Sequence, residues 1–190
     1  MQECLKKRSK YGTISTLQEK MTEVLKMSTG KIEIICGNGS GKTAMAFGRA
    51  LEALVKHKNV IMIQFLKGSQ KPEELDVIKR MEPEFKVFRF EKSDRYFEEL
   101  SEEEKQEERL NIRNGLNYAR KVLSTGECDL LILDEVLGIL DLGIISAEDL
   151  KCLLDCRDEA DVLLTGKVLS DQIGTIAERI DQIEHVQVDI

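Results

Sequence analysis

Short apolar runs and helix-spaced segments alternate along most of the chain. Runs at 31–36, 60–66, 87–90, 129–133 and 161–165 are rich in Ile, Val, Leu and Phe and are bounded by polar or glycine-containing turns. Such runs predict strands buried on both faces. Between them the spacing predicts a helix over 42–57 and a short one opened by Pro72, a favourable first-turn residue. Ser101-Glu102-Glu103-Glu104 is a capping box that starts a helix running toward Leu123. The acidic run around it, at 91–109, reads as a solvated helix face. Ser146, with Asp149 three residues on, caps another helix. A helix near 170–179 and a strand near 183–188 close the pattern. Strands alternating with helices predict an α/β fold, a mostly parallel sheet with helices on both faces. Residues 1–29 form a polar lead with helical spacing at Leu17, Met21, Val24 and Leu25. They read as a helical extension, an appendage in front of a domain at 30–190, with a clasp over the site as one role open to it.

The first strand runs into Cys36-Gly37-Asn38-Gly39-Ser40-Gly41-Lys42-Thr43, and a helix comes next. Strand, glycine loop and helix together make a phosphate site. Close glycines bend the backbone around an anion without Cβ clashes, and the loop aims amides and a helix N-terminus at it. Lys42 is placed to reach phosphate oxygens, and the Thr43 hydroxyl to ligate Mg²⁺. Strict phosphate-loop spacing has glycine where Cys36 stands, so this loop is one residue tighter. The competing reading is a glycine-rich turn without a ligand. The coincidence of strand, Gly-Lys-Thr and helix weighs against it.

Asp129–Leu133 continues into Asp134-Glu135. Carboxylates at the C-terminal end of a buried parallel strand lie on the sheet edge where α/β proteins bind ligands. Asp134 is placed to hold Mg²⁺, directly or through water. Glu135 is a candidate to touch the metal, orient a nucleophile or contact a second substrate. Right-handed crossovers put every strand's C-terminal end on one edge. The Gly37–Thr43 loop, Gln64, Lys67, Asp134, Glu135, Thr165 and Lys167 therefore gather into one expected site.

Composition narrows the partners. The 190 residues carry a net charge of −7, which argues against a duplex nucleic acid surface. No stretch reaches the ~20 apolar residues of a membrane span, and Met1–Lys10 lacks a signal-peptide core, so a cytoplasmic protein is expected. The five cysteines contain no Cys-x-x-Cys pair and read as reduced thiols. His57 and His185 suggest no catalytic pair.

Several elements in order resemble the phosphate-loop ATP:corrinoid adenosyltransferases. They are Gly37–Thr43, Ala46-Phe47-Gly48, Gln64-Phe65-Leu66-Lys67-Gly68, Gly126 with Asp129, Leu133-Asp134-Glu135, and Leu164-Thr165-Gly166-Lys167. The resemblance spans about residues 30–188. It implies a RecA-like phosphate-loop fold and transfer of the 5′-deoxyadenosyl group of ATP to a Co(I) corrinoid, releasing triphosphate. It implies ATP contacts from Gly37, Asn38, Gly39, Ser40, Gly41, Lys42, Thr43, Ala44, Gln64, Lys67 and Lys167, and Mg²⁺ or Mn²⁺ on Thr43 with Asp134 or Glu135. Lys42, Asp134 and Glu135 would be the catalytic set. In this family the triphosphate lies reversed relative to hydrolases, so Lys42 need not meet the usual phosphates. A reduced flavoprotein electron donor and a homodimer are implied partners.

The chain departs from the family pattern at Ser40, usually Lys, at Ala44, usually Thr, and at Lys167, usually Arg. The family's glycine-aromatic-tryptophan segment facing the corrinoid is missing, and the chain has no Trp. Tyr96 and Phe97 stand in roughly that region as substitutes. Packing of both rings onto the core is the alternative for them. For the whole chain, the alternatives are a phosphate-loop ATPase and a non-catalytic nucleotide-binding relative.

Overall fold

A computed structural model describes residues 30–66, 78–93 and 95–186. Its elements run β1 (Ile32–Cys36), α1 (Lys42–Val55), β2 (Val60–Gln64), β3 (Phe85–Arg89), a 3₁₀ turn (Phe97–Glu99), α2 (Glu102–Thr125), β4 (Leu130–Asp134), α3 (Val136–Asp141), α4 (Ala147–Leu154), β5 (Asp161–Thr165), α5 (Asp171–Gly174) and β6 (Arg179–Gln182). The strands form one sheet in the order β3-β2-β4-β5-β1-β6. Every pairing in it is parallel.

The apolar runs are continuous because both faces are covered. In β4, Leu131 and Leu133 pack into a core with Ile112, Ala119, Leu150 and Leu153 of α2 and α4. Leu130 and Ile132 face the other way, against Ala46, Ala50 and Ala53 of α1. The alanines let α1 lie close to the sheet, which holds its N-terminus hard against the end of β1. Each fully buried Leu or Ile on these faces contributes about 1.5–3 kcal/mol.

Both predicted capping boxes are present. Ser101 and Glu104 close the start of α2, and Ser146 and Asp149 that of α4. Other boundaries shift. The strand expected at 87–90 begins at Phe85, and the one expected to reach Leu66 ends at Gln64. The helix expected near 170–179 shortens to Asp171–Gly174. The strand expected near 183–188 lies earlier, at Arg179–Gln182. Its alternating pattern fits either register, and the partner decides. β6 pairs with β1 from Glu33↔Arg179 to Cys36↔Gln182, and there β1 turns into the glycine loop. Beyond Gln182, β1 has ended, and Ile183 bonds to Cys36 and to Gly39 of the loop. The extension at 1–29, the segment opened by Pro72, and Lys67 lie outside the described residues.

Candidate active site

The parallel order places the ends of β1, β4 and β5 side by side, with β5 in the middle. The loop after β1 enters α1 through Gly41, whose φ of +96° is a left-handed conformation that suits glycine. No side chain caps α1, and a helix N-terminus without a side-chain cap favours an anion. Gly37 has φ +109°, and a Cβ there would stand 2.3 Å from the Ile183 carbonyl oxygen. Lys42 Nζ donates to the Gly37 and Gly39 carbonyls at 2.8 Å each, so the ammonium lies across the loop.

The segment after β6 packs on this loop. Gly39 N–H donates to Ile183 O at 2.9 Å, Ile183 N–H to Cys36 O at 2.8 Å, and Gly37 N–H to Lys167 O at 3.1 Å. Ser40 N–H donates to His185 Nε2 at 3.3 Å. Cys36 is buried, and desolvation raises its thiol pKa against the lowering effect of Lys42. It ends β1 as a buried thiol in an apolar setting, which makes it unreactive.

At the end of β4, Asp134 is wholly buried. Its Oδ1 accepts from Thr165 Oγ1 at 2.6 Å and from Thr43 Oγ1 at 3.2 Å. Its Oδ2 accepts from Gln64 Nε2 at 3.0 Å. Gln64 Oε1 accepts from Arg89 Nε at 3.0 Å. Four strands and α1 thus fix one carboxylate. Thr165 Oγ1 also accepts the Glu135 N–H at 2.9 Å. This bond holds Glu135 in a left-handed conformation, φ +66°, at the start of α3.

The two acids separate there. Asp134 stays with the glycine loop, whereas Glu135 lies over Gly138 and lines a neighbouring cavity of about 500 Å³. That volume is within the range of small-molecule sites. Lys167 lines the same cavity while its carbonyl holds Gly37, so one residue touches both compartments. Tyr96 is 73% exposed and lines the cavity. Phe97 reaches the cavity wall too, but it is buried in the core with Arg109 stacked 5.5 Å from its ring centre. Of the two aromatics, Tyr96 is open to a ligand and Phe97 chiefly packs.

The structure therefore brings together the Gly37–Thr43 loop, Asp134, Glu135 and Lys167. Ala44 stands on the first turn of α1. Gln64 belongs to the site, but both ends of its amide are engaged by protein, so it positions Asp134. Sequence reasoning missed Arg89 and His185. A lone Arg ending an apolar strand was the available signal for Arg89. For His185 only the pairing of β6 reveals the loop contact.

Among the described residues no helix is long and apolar enough to cross a membrane. Comparison with solved structures finds the KaiC-like protein PH0186 of Pyrococcus horikoshii OT3. The TM-score is 0.54 at 16% identity, over 85% of this chain and 76% of that one. The likeness supports the α/β, RecA-like arrangement of the sheet. Among curated sequences the chain is 25% identical over 163 residues to the "Corrinoid adenosyltransferase" of Escherichia coli K12, covering 83% of this chain and 78% of that protein. The values are the same for "Corrinoid adenosyltransferase CobA" of Salmonella typhimurium LT2. The family described as ATP:corrinoid adenosyltransferase BtuR/CobO/CobP matches residues 28–189. With nearly the whole domain matched in sequence, and a glycine loop and acidic strand that meet in space, the chain belongs to the ATP:corrinoid adenosyltransferase family.

Proposed function

We propose that the protein transfers the 5′-deoxyadenosyl group of ATP to the Co(I) centre of a corrinoid. The observation that carries this reading is a phosphate loop that shares Lys167 with a second, ligand-sized cavity one residue beyond Asp134. In this reaction the Co(I) electron pair attacks C5′ and a Co–C bond forms. The C5′–O bond breaks, and its electron pair leaves on triphosphate. Cobalt ends as Co(III). The nucleophile needs no general base, and none is assigned. The chain's task is to align C5′ with the metal and to stabilise the leaving charge.

The N-terminus of α1 and Lys42 are assigned to the triphosphate; the Gly37, Gly39 and Ser40 amides bond to Lys167 O, Ile183 O and His185 Nε2. Lys167, which lines the cavity and holds Gly37 through its carbonyl, is assigned to the junction of leaving group and second substrate. The Thr43 hydroxyl and the Asp134 carboxylate are hard oxygen donors 3.2 Å apart, and this fits Mg²⁺. Mg²⁺ typically takes one or two protein oxygens and completes its shell with phosphate and water. Bound there, it would neutralise charge building on the phosphates. Glu135, on the cavity side, is assigned to the second substrate. One electron from a reduced flavoprotein would convert Co(II) to Co(I) beforehand. A homodimer in the cytoplasm completes the proposal.

The phosphorus product tests it. Incubation with Mg-ATP and a Co(I) corrinoid is expected to release intact triphosphate in step with consumed corrinoid. ADP and phosphate formed without corrinoid would instead make the protein an ATPase.

A further inference from the structure

The segment after β6 meets the phosphate loop at two successive amides, and the two contacts differ. Gly39 N–H donates to Ile183 O at 2.9 Å, a backbone bond at a buried glycine. Ser40 N–H donates to His185 Nε2 at 3.3 Å, and both of these residues are exposed. The second bond is long, open to water, and made by a side chain that can turn away. It also gives an imidazole nitrogen the place that a phosphate oxygen takes on the amides of a filled glycine loop. To accept there, the imidazole must be neutral, with its proton on Nδ1. Among the described residues, the elements that meet here carry four other charged groups bearing on it. Lys42 Nζ is held by the Gly37 and Gly39 carbonyls, and Lys167 takes the Gly37 N–H on its carbonyl. Asp181 is paired with Arg49 and Arg179, and Glu184 accepts from Gln182 Nε2 at 2.6 Å.

We propose that His185 is an internal occupant of the phosphate loop, a latch that holds the Ser40 amide until the triphosphate of ATP replaces it. This rests on the nucleotide half of the adenosyltransferase reading and is independent of the corrinoid. A phosphate oxygen is ionised, and a charge-assisted hydrogen bond is about twice as strong as a neutral one, so ATP takes the amide from the imidazole. The latched fraction nevertheless lowers the apparent affinity for ATP, because only the unlatched loop is competent to bind. A proton on Nε2 ends the latch, since two donors, Nε2–H and Ser40 N–H, then face each other. Histidine takes up such a proton within about pH 5–8. The latch is therefore present on the alkaline side of that range and is lost as pH falls. ATP, by displacing the neutral imidazole, frees it to take up a proton, and the two effects are linked.

The test is titration calorimetry of the full-length protein with ATP in excess Mg²⁺, at about pH 8 and about pH 6. The wild type is compared with His185→Ala, which removes the acceptor, and with His185→Gln, which keeps a side-chain oxygen acceptor and cannot take up the proton. At about pH 8, His185→Ala is expected to bind Mg-ATP about three- to tenfold more tightly than the wild type, the scale of one modest hydrogen bond given up. On going to about pH 6, wild-type affinity should rise and close that gap, while the affinities of both variants stay level. Between these values the wild type should take up a fraction of a proton on binding, read from two buffers of different ionisation enthalpy, and the variants none. Equal or weaker Mg-ATP binding by His185→Ala at the higher pH would overturn the proposal, as would a wild-type pH dependence that persists in His185→Gln. Absence of Mg-ATP binding in all three proteins would remove the nucleotide reading, and this proposal with it.

Discussion

Thr43 Oγ1 lies 3.2 Å from Asp134 Oδ1, although the two residues stand 91 positions apart. The contact joins the first turn of α1 to the end of β4 across the intervening strand β5. It sets the distance between phosphate loop and acid before any ligand arrives. Asp134→Asn keeps the size but replaces one acceptor with a donor beside Gln64 Nε2. The expected result is a loss of adenosyl transfer of about 10²-fold, the scale for removing a preorganised electrostatic group. Half-saturation by Mg²⁺ should move to higher concentration. Initial rates across a Mg²⁺ titration check both effects.

Gln64 separates a positioning role from a ligand role. Gln64→Leu leaves Asp134 Oδ2 and Arg89 Nε without the bonds they now make to it. Stability should fall by about 1–3 kcal/mol, measured by urea unfolding. KM for ATP should move little while kcat falls. A large rise in KM at unchanged stability would mean that Gln64 touches the nucleotide instead.

The glycine loop tolerates no side chain at its first glycine. Gly37→Ala puts a Cβ 2.3 Å from Ile183 O at a φ of +109°. The strain and overpacking are expected to cost about 1–3 kcal/mol each. ATP binding should weaken together with thermal stability, read by calorimetry and nucleotide titration on the same sample.

Glu108 gives the fold a pH dependence of definite sign. Desolvation raises its pKa first; the Lys92 N–H and charge pull it down, and Glu91 pushes it up again, for a net rise. Below the unfolded-state pKa the acid is neutral in both states and its contribution is fully present. That contribution is lost as pH rises through the higher folded-state pKa. Wild-type stability relative to Glu108→Gln should therefore decline as pH rises above the ordinary carboxyl range and level off once the pH passes the raised folded-state pKa. Denaturant unfolding of both proteins at several pH values reads this directly.

Much of this architecture is legible in the sequence because its signals are local. The glycine loop, the acids after Leu133 and the Ser101 and Ser146 capping boxes each declare themselves within a few residues. The features that escape depend on partners distant in the chain. β6 takes its register from where β1 ends, so its alternating sequence cannot fix its own start. The six residues of α3 are too few to show a helical period, so nothing in Val136–Asp141 announces a helix. Glu108 reads as part of a solvated acidic run, yet it is buried. Its burial arises from the packing of α2 over the 91–100 segment, which no periodicity encodes. Thr165 is expected on the binding edge, but its double role, donating to Asp134 and accepting from Glu135, needs β5 to lie beside β4.

The most direct test of the account is an anaerobic absorbance experiment with the full-length protein, Mg-ATP and a chemically reduced Co(I) corrinoid. The account predicts the spectrum of a Co–C bonded adenosyl product, with one triphosphate per product and loss of both in Lys42→Ala. No adenosyl product from a protein that still binds ATP and corrinoid would contradict it.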